Sequence, residues 1–190
     1  MIQGVLKSEG LPLDLAYVPL VESAFKLNAL SRVSAKGMWQ FMQATGNEYG
    51  LKTTSFLDER SDPEKSTLAA AQYLKALNQM FDGDWHFALA SYNAGPGRLM
   101  RAARQSRKSD YWDITATSRY LPRETREYVP MILAAIIIAK NPTLYGFDVT
   151  APPPLAFETV HVPNSLDLKF IAEWADVPIE HIQELNPVLR

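Results

Sequence analysis

The stretch "SDPEKSTLAAAQYLKALNQMF", Ser61 to Phe81, decides the fold class, because it can only be read as a long amphipathic helix. Asp62 is a good N-cap, Pro63 suits the first helical position, and Glu64 complements the positive end of the helix dipole. Leu68, Ala71, Leu74, Leu77 and Phe81 recur at helical spacing, and Tyr73 and Met80 broaden that apolar face. Strand signals elsewhere are few, and helical periodicity continues on both sides. "DWHFALASYN" reads as a helix halted by "AGPG", "GRLMRAARQ" as a short amphipathic one, and "PRETREYVPMILAAIIIAKN" as a central buried helix. "MWQFMQATGNEYG" reads as a short helix stopped by Gly46 or Gly50. The expected architecture is mainly α, in one domain over residues 1–148.

Upstream, "YVPLVESAF", Tyr17 to Phe25, lies in a helix expected from Pro12 to about Ala24, slightly bent by Pro19. On a 3.6-residue period Leu15, Val18, Glu22 and Phe25 share a stripe, so a carboxylate faces the body of the domain. Burial disfavours its charged form and raises its pKa toward the range of a general acid. From the helix alone, a structural ion pair is the better reading of Glu22.

Totals narrow the field. The chain has 190 residues, 47% hydrophobic and 21% charged, with a formal net charge of −2, which gives no electrostatic footprint for nucleic acid. With no cysteine, disulfides, thiolate zinc sites and a cysteine nucleophile are excluded, but the compartment is not decided. His86, His161 and His181 are scattered without a metal-ligand pattern, and the acidic cluster Asp58, Glu59, Asp62 and Glu64 fits helix capping better than a cation loop. No cofactor is expected. No signal peptide is visible, and the apolar run Val129 to Ala139 is about half of the ~20 residues a membrane span needs. The piece therefore reads as soluble. Its abrupt start and its end at "LNPVLR" read as the limits of a fragment, with room for a removed leader or lipid anchor in a longer precursor.

Two further patches carry groups of chemical interest. Gly37, Trp39, Gln40 and Phe41 combine flat apolar faces, an amide and close backbone approach, which suits a sugar site; a turn glycine beside core aromatics is the safer reading of the patch alone. Tyr92 and Asn93, followed by Gly95 and Gly97, are either a helix stop or a phenol and an amide presented to a groove.

Taken together, "ESAF", "GMWQFM", "ALASYNAGPGR" and "RETREYVPMILAA" resemble, in order and interval, the lytic transglycosylases of goose-lysozyme-like (SLT) fold, with the membrane-bound lytic transglycosylase D branch as the nearest likeness. The resemblance covers about Leu11 to Phe147 and reverses the reading of Glu22. It implies non-hydrolytic cleavage of the β-1,4 bond between N-acetylmuramic acid and N-acetylglucosamine in peptidoglycan, leaving 1,6-anhydromuramic ends. It also implies a bacterial periplasmic setting, glycan strands as the partner, and a monomer that needs no metal. Matched residue by residue, Glu22 is the single acid/base. Ser23, Met38, Gln40, Tyr92, Asn93 and Tyr128 are substrate-binding, and Glu124 is a supporting buried glutamate. Trp39 stands where many relatives have Met, which bears on the detailed sugar contacts there. A hydrolytic lysozyme and an inactive peptidoglycan-binding module are the competing readings.

Beyond a Pro-rich linker at 149–156, residues 157–190 resemble a partial LysM module of β-α-α form. "FIAEWADVPIEHIQELNP" matches its two helices, but the usual Gly-Asp is replaced by "VPNSLD" and a second strand is missing. The tail is therefore expected to pack on the catalytic domain through Phe170, Trp174 and Ile182 rather than to bind glycan.

Overall fold

The computed structural model describes all residues except 118, 151, 152, 154–156 and 163. Most of the expected linker 149–156 thus lies outside the described residues. Helices dominate: α1 (Ile2–Ser8), α2 (Val18–Ser23), α3 (Gln43–Glu48), α4 (Pro63–Met80), α5 (Trp85–Ala94), α6 (Pro96–Ser106), α7 (Tyr111–Thr115), α8 (Arg123–Lys140), α9 (Leu168–Ala175) and α10 (Ile179–Leu185). Short 3-10 turns occupy Leu13–Tyr17, Glu59–Ser61 and Pro142–Tyr145.

Capping follows the sequence logic. The Asp62 carboxylate accepts from the backbone N–H groups of Glu64 and Lys65, and Asp84 does the same for His86 and Phe87 at the start of α5. These bonds satisfy donors that a helix start leaves orphaned. On α4 the inner face is narrower than the periodicity suggested, since Leu74 and Leu77 are buried but Leu68 is exposed.

The centre of the domain is α5, which packs against α4, α6 and α8. Its Ala88, Ala90 and Ser91 are fully buried, and such small side chains let three neighbours approach closely. The expected central helix, α8, is instead peripheral along its second half. Tyr128, Val129 and Ile132 are buried, whereas Met131 and Ile137 are exposed. The reason is length: 18 residues make a rod of about 27 Å, against about 15 Å for the ten residues of α5 that it lies on. Pro130 sits inside α8 and has no N–H for the carbonyl of Arg126. The hydroxyl of buried Tyr111 substitutes, lying 3.2 Å from that carbonyl and 3.1 Å from the carbonyl of Thr125.

Two local expectations change. Pro19 does not bend a long helix; it occupies the first turn of α2, after a separate 3-10 turn, where its missing donor costs nothing. "GMWQ" is not helical. It is a tight turn closed by reciprocal backbone hydrogen bonds between Lys36 and Phe41, with Gly37 at φ +83° and Gln40 at φ +50°, and α3 begins only at Gln43.

In the tail, residues 157–162 carry no assigned secondary structure, and no bridge to them occurs among the described residues. Asp167 caps α9, and α9 packs on α10. The tail does reach the rest of the molecule, though not by the expected anchors: Trp174 is 75% exposed, Phe170 is exposed, and Ile182 is half-buried. Contact runs instead through residues 188–190. Leu189 bridges Leu57 antiparallel, the Asp58 N–H donates to the Val188 carbonyl at 2.8 Å, and the Arg190 N–H donates to Phe56 at 3.0 Å.

Gly37 shows how tightly the turn is held. A Cβ there would meet the Arg60 carbonyl oxygen at 1.8 Å, whereas one on Gly50, with a similar φ of +85°, would meet nothing. Gly37→Ala is expected to cost about 3 kcal/mol or more, through overpacking added to the left-handed penalty, and Gly50→Ala only about 1–2 kcal/mol. Urea unfolding of the pair checks this, and equal losses would contradict it.

Candidate active site

Glu22 lies in the last turn of α2, a helix of only six residues. It ends abruptly because Ala24 and Phe25 both adopt left-handed conformations, φ 51° and 61°, which non-glycine residues rarely hold without surrounding support. Part of that support comes from Ser23, whose hydroxyl donates to the Met38 carbonyl at 2.9 Å and ties the helix end to the 37–41 turn.

The Glu22 carboxylate accepts a hydrogen bond from the Tyr128 hydroxyl on α8. Burial pushes its pKa from 4.5 up to about 7; the Tyr128 bond opposes the rise, and the nearby Glu124 charge adds to it. Among the described residues, no Lys or Arg forms a salt bridge with it. The structural ion pair favoured by the helix alone is therefore not what the structure shows. Burial also raises the phenols of Tyr92 and Tyr128 well above 10, with the Glu22 charge contributing, so both remain hydrogen-bond donors at any working pH.

These groups line one groove of about 550 Å³. Glu22, Gln40, Tyr92, Asn93, Glu124 and Tyr128 all border it. The Tyr92 hydroxyl donates to the Trp39 carbonyl at 2.8 Å, and its ring joins Phe41 and Tyr73 in an aromatic floor. Asn93 accepts from the Thr125 hydroxyl at 3.0 Å through its side-chain oxygen, which leaves its amide NH₂ for a ligand. Gln40 spends its amide NH₂ on the Gly37 carbonyl at 2.8 Å, holding its own turn closed.

Two residues, Met38 and Glu124, differ in place from the sequence reading. Met38 is 3% exposed, in the core, and only its carbonyl serves the site, through Ser23. Trp39 is fully buried with its indole N–H on Thr67 at 2.9 Å, so the core reading of that aromatic holds. Glu124, expected to be buried, is exposed at the groove rim. It lies in the first turn of α8. Conversely, Val33, Met42 and Met131 line the groove without having been singled out. Exposed apolar side chains in a loop or on an outer helix face carry no local signal.

Comparisons with known proteins bear on this geometry. The family profile for the transglycosylase SLT domain matches residues 2–115, and that for the LysM-like domain of the lytic transglycosylase MltD matches residues 156–190. Membrane-bound lytic murein transglycosylase D of Escherichia coli K12 is 37% identical over 190 residues, 97% of this chain and 41% of that protein. The chain thus spans about two fifths of the length of that relative. Soluble lytic murein transglycosylase of Salmonella typhimurium is 34% identical over 119 residues, 60% of this chain and 18% of that protein. Among solved structures, an inactive mutant of the lytic transglycosylase Slt from Pseudomonas aeruginosa superposes with a TM-score of 0.62 at 27% identity, covering 75% of this chain and 24% of that one.

A carboxyl that titrates at about 7 when folded and near 4.5 when unfolded has a definite sign of linkage. Between those values the folded state holds the extra proton, so its contribution falls as pH rises, by about 3 kcal/mol in all. Glu22→Gln removes that loss. Its thermal midpoint is expected to exceed that of the wild type by several degrees more at pH 8 than at pH 4.5. A pH-independent difference would show that Glu22 titrates normally.

Proposed function

The chain belongs to the SLT-type lytic transglycosylases, and on that premise we propose that it cleaves peptidoglycan between N-acetylmuramic acid and N-acetylglucosamine without water. The observation that carries this reading is the half-buried Glu22 carboxyl in the groove, bonded to Tyr128 and able to hold a proton at neutral pH. Protonated Glu22 donates to the glycosidic oxygen as the bond to the muramic C1 breaks, while the 2-acetamido oxygen supports the positive charge at C1. The Glu22 carboxylate then takes the proton of the sugar's own C6 hydroxyl, whose oxygen bonds to C1. The product is the 1,6-anhydro ring, and Glu22 is again protonated.

Glycosidases ordinarily use two flanking carboxyl groups. Here the second carboxylate of the groove, Glu124, is exposed at the rim. Its charge adds only to the rise that keeps the proton on Glu22, and the substrate's acetamide takes the place of a nucleophile. The intramolecular hydroxyl outruns water because it is held at the reacting carbon. Asn93, with its amide free, orients the acetamide, and Tyr128 stabilises the Glu22 carboxylate formed midway. Glycan strands in the bacterial periplasmic envelope are the substrate under this reading.

Glu22→Gln is expected to abolish product release from purified peptidoglycan, and mass spectrometry of wild-type products should show anhydro ends. Reducing ends would make the protein a hydrolase, and activity surviving in Glu22→Gln would remove Glu22 from the mechanism. The pH profile should fall above about 7, as Glu22 loses its proton. Because the Tyr128 bond favours the charged carboxylate, Tyr128→Phe should move that limb to higher pH while lowering kcat about 10-fold or more. A limb that stays in place would contradict the pairing.

A further inference from the structure

Behind the groove lies a second charged cluster that the cleavage chemistry does not use. The Asp58 side chain is fully buried and accepts from Arg60 at both oxygens, Nε to Oδ1 at 2.9 Å and Nη2 to Oδ2 at 2.8 Å. That fork fixes the guanidinium plane and aims its remaining nitrogen, Nη1, at the carbonyls of Ser34 (2.9 Å) and Phe41 (3.1 Å). These two carbonyls lie in the 31–42 loop, whose Val33, Gln40, Phe41 and Met42 form a wall of the groove. The same Asp58 Oδ2 also accepts from Arg190 at 2.6 Å, with Lys36 at 3.5 Å. Arg190 donates a further hydrogen bond to the Thr54 carbonyl at 3.0 Å. Burial alone would raise the Asp58 pKa, but the Arg60 and Arg190 hydrogen bonds hold it far below the usual carboxylate range.

We propose that residues 188–190 of the LysM-like tail position the groove wall, through the relay Arg190–Asp58–Arg60, so that docking of the tail governs how well the groove holds a glycan strand. The tail touches this relay by a narrow contact: one β-bridge, two backbone hydrogen bonds and the partly exposed Arg190 guanidinium. Its two helices lean on each other instead. So narrow a contact covers little surface and its guanidinium is partly exposed, which makes it reversible. It nevertheless ends on the buried carboxylate that sets the Arg60 fork, and the carbonyls of Ser34 and Phe41 depend on that fork. Release of the tail withdraws one of the two guanidinium groups from Asp58 and frees the fork to shift. Glu22 and Tyr128 lie on α2 and α8 and bond to no member of the relay, so their own pairing is retained when the loop shifts. Asp58, Arg60 and Arg190 are positioning residues in this account.

Hydrogen exchange on the full chain tests the proposal independently of any activity, using Arg190→Ala and Arg190→Lys. The amides of Lys36 and Phe41, which bond to each other's carbonyls, should exchange several-fold faster in Arg190→Ala, with α5 as the internal control at its wild-type rate. Arg190→Lys should restore part of the protection. Wild-type exchange across residues 31–42 in Arg190→Ala would overturn the proposal, as would equal acceleration in α5. The kinetic arm rests on the cleavage reading above: on peptidoglycan, Arg190→Ala should raise KM several-fold with kcat and the pH limb unchanged. An unchanged KM, or a limb that moves, would count against the relay. If the wild type cleaves no glycan, the cleavage reading fails and the exchange result alone decides this one.

Discussion

The groove is organised around one constraint: a carboxyl group sits largely desolvated in its wall with no lysine or arginine among the described residues paired to it. A paired Glu22 would be ionised at neutral pH, and a solvated one would titrate near its ordinary value. Among the described residues neither lysine nor arginine pairs with it; the Tyr128 hydroxyl bonds to it instead and can remain bonded whether Glu22 is charged or neutral. The arrangement costs stability at neutral and alkaline pH. The core cluster that runs from Leu6 through Trp39, Leu74 and Tyr111 to Ile132 has to offset that cost.

Precision at such a group depends on what stands behind it. The two sides of the contact come from α2 and α8, more than a hundred residues apart in sequence, and each is fixed by a separate device. On α2 the left-handed Ala24 and Phe25 end the helix, and Ser23 fastens that end to the Met38 carbonyl. On α8 the Arg126 carbonyl, four residues before Pro130 and orphaned by it, is met by the Tyr111 hydroxyl. The third side, the 31–42 loop, has almost no regular structure of its own. Arg60 holds it by two carbonyls, and Gly37 lets it lie directly on the Arg60 backbone.

Helix positions and caps were legible in the sequence because their causes are local. Asp62 and Pro63 announce α4 from within a few residues, Asp84 caps α5, and Gly95 marks the end of α5. Exposure was less legible, because it depends on which neighbour covers a face. The apolar second half of α8 looks like core in isolation, yet it overshoots the shorter α5. Met38 looks like a glycan contact through the resemblance, but the turn at Gly37 directs it inward beside Trp39, whose core reading holds. Glu124 was expected inside and stands at the rim, and the aromatic anchors of the tail stay in solvent while residues 188–190 make the contact. Neither a 3.6-residue period nor a motif encodes the left-handed φ of Gln40 or a bond from Arg60 to residues some twenty positions away.

The account stands or falls on where Glu22 keeps its proton. With the side-chain carboxyl of Glu22 labelled with carbon-13, its chemical shift followed by NMR across pH 3 to 9 reads that proton directly, with no substrate present. A midpoint close to 7 is what burial beside Tyr128 requires. A midpoint near the ordinary 4.5 would mean that the carboxyl is solvated or paired in solution, and that a group other than Glu22 must supply the acid.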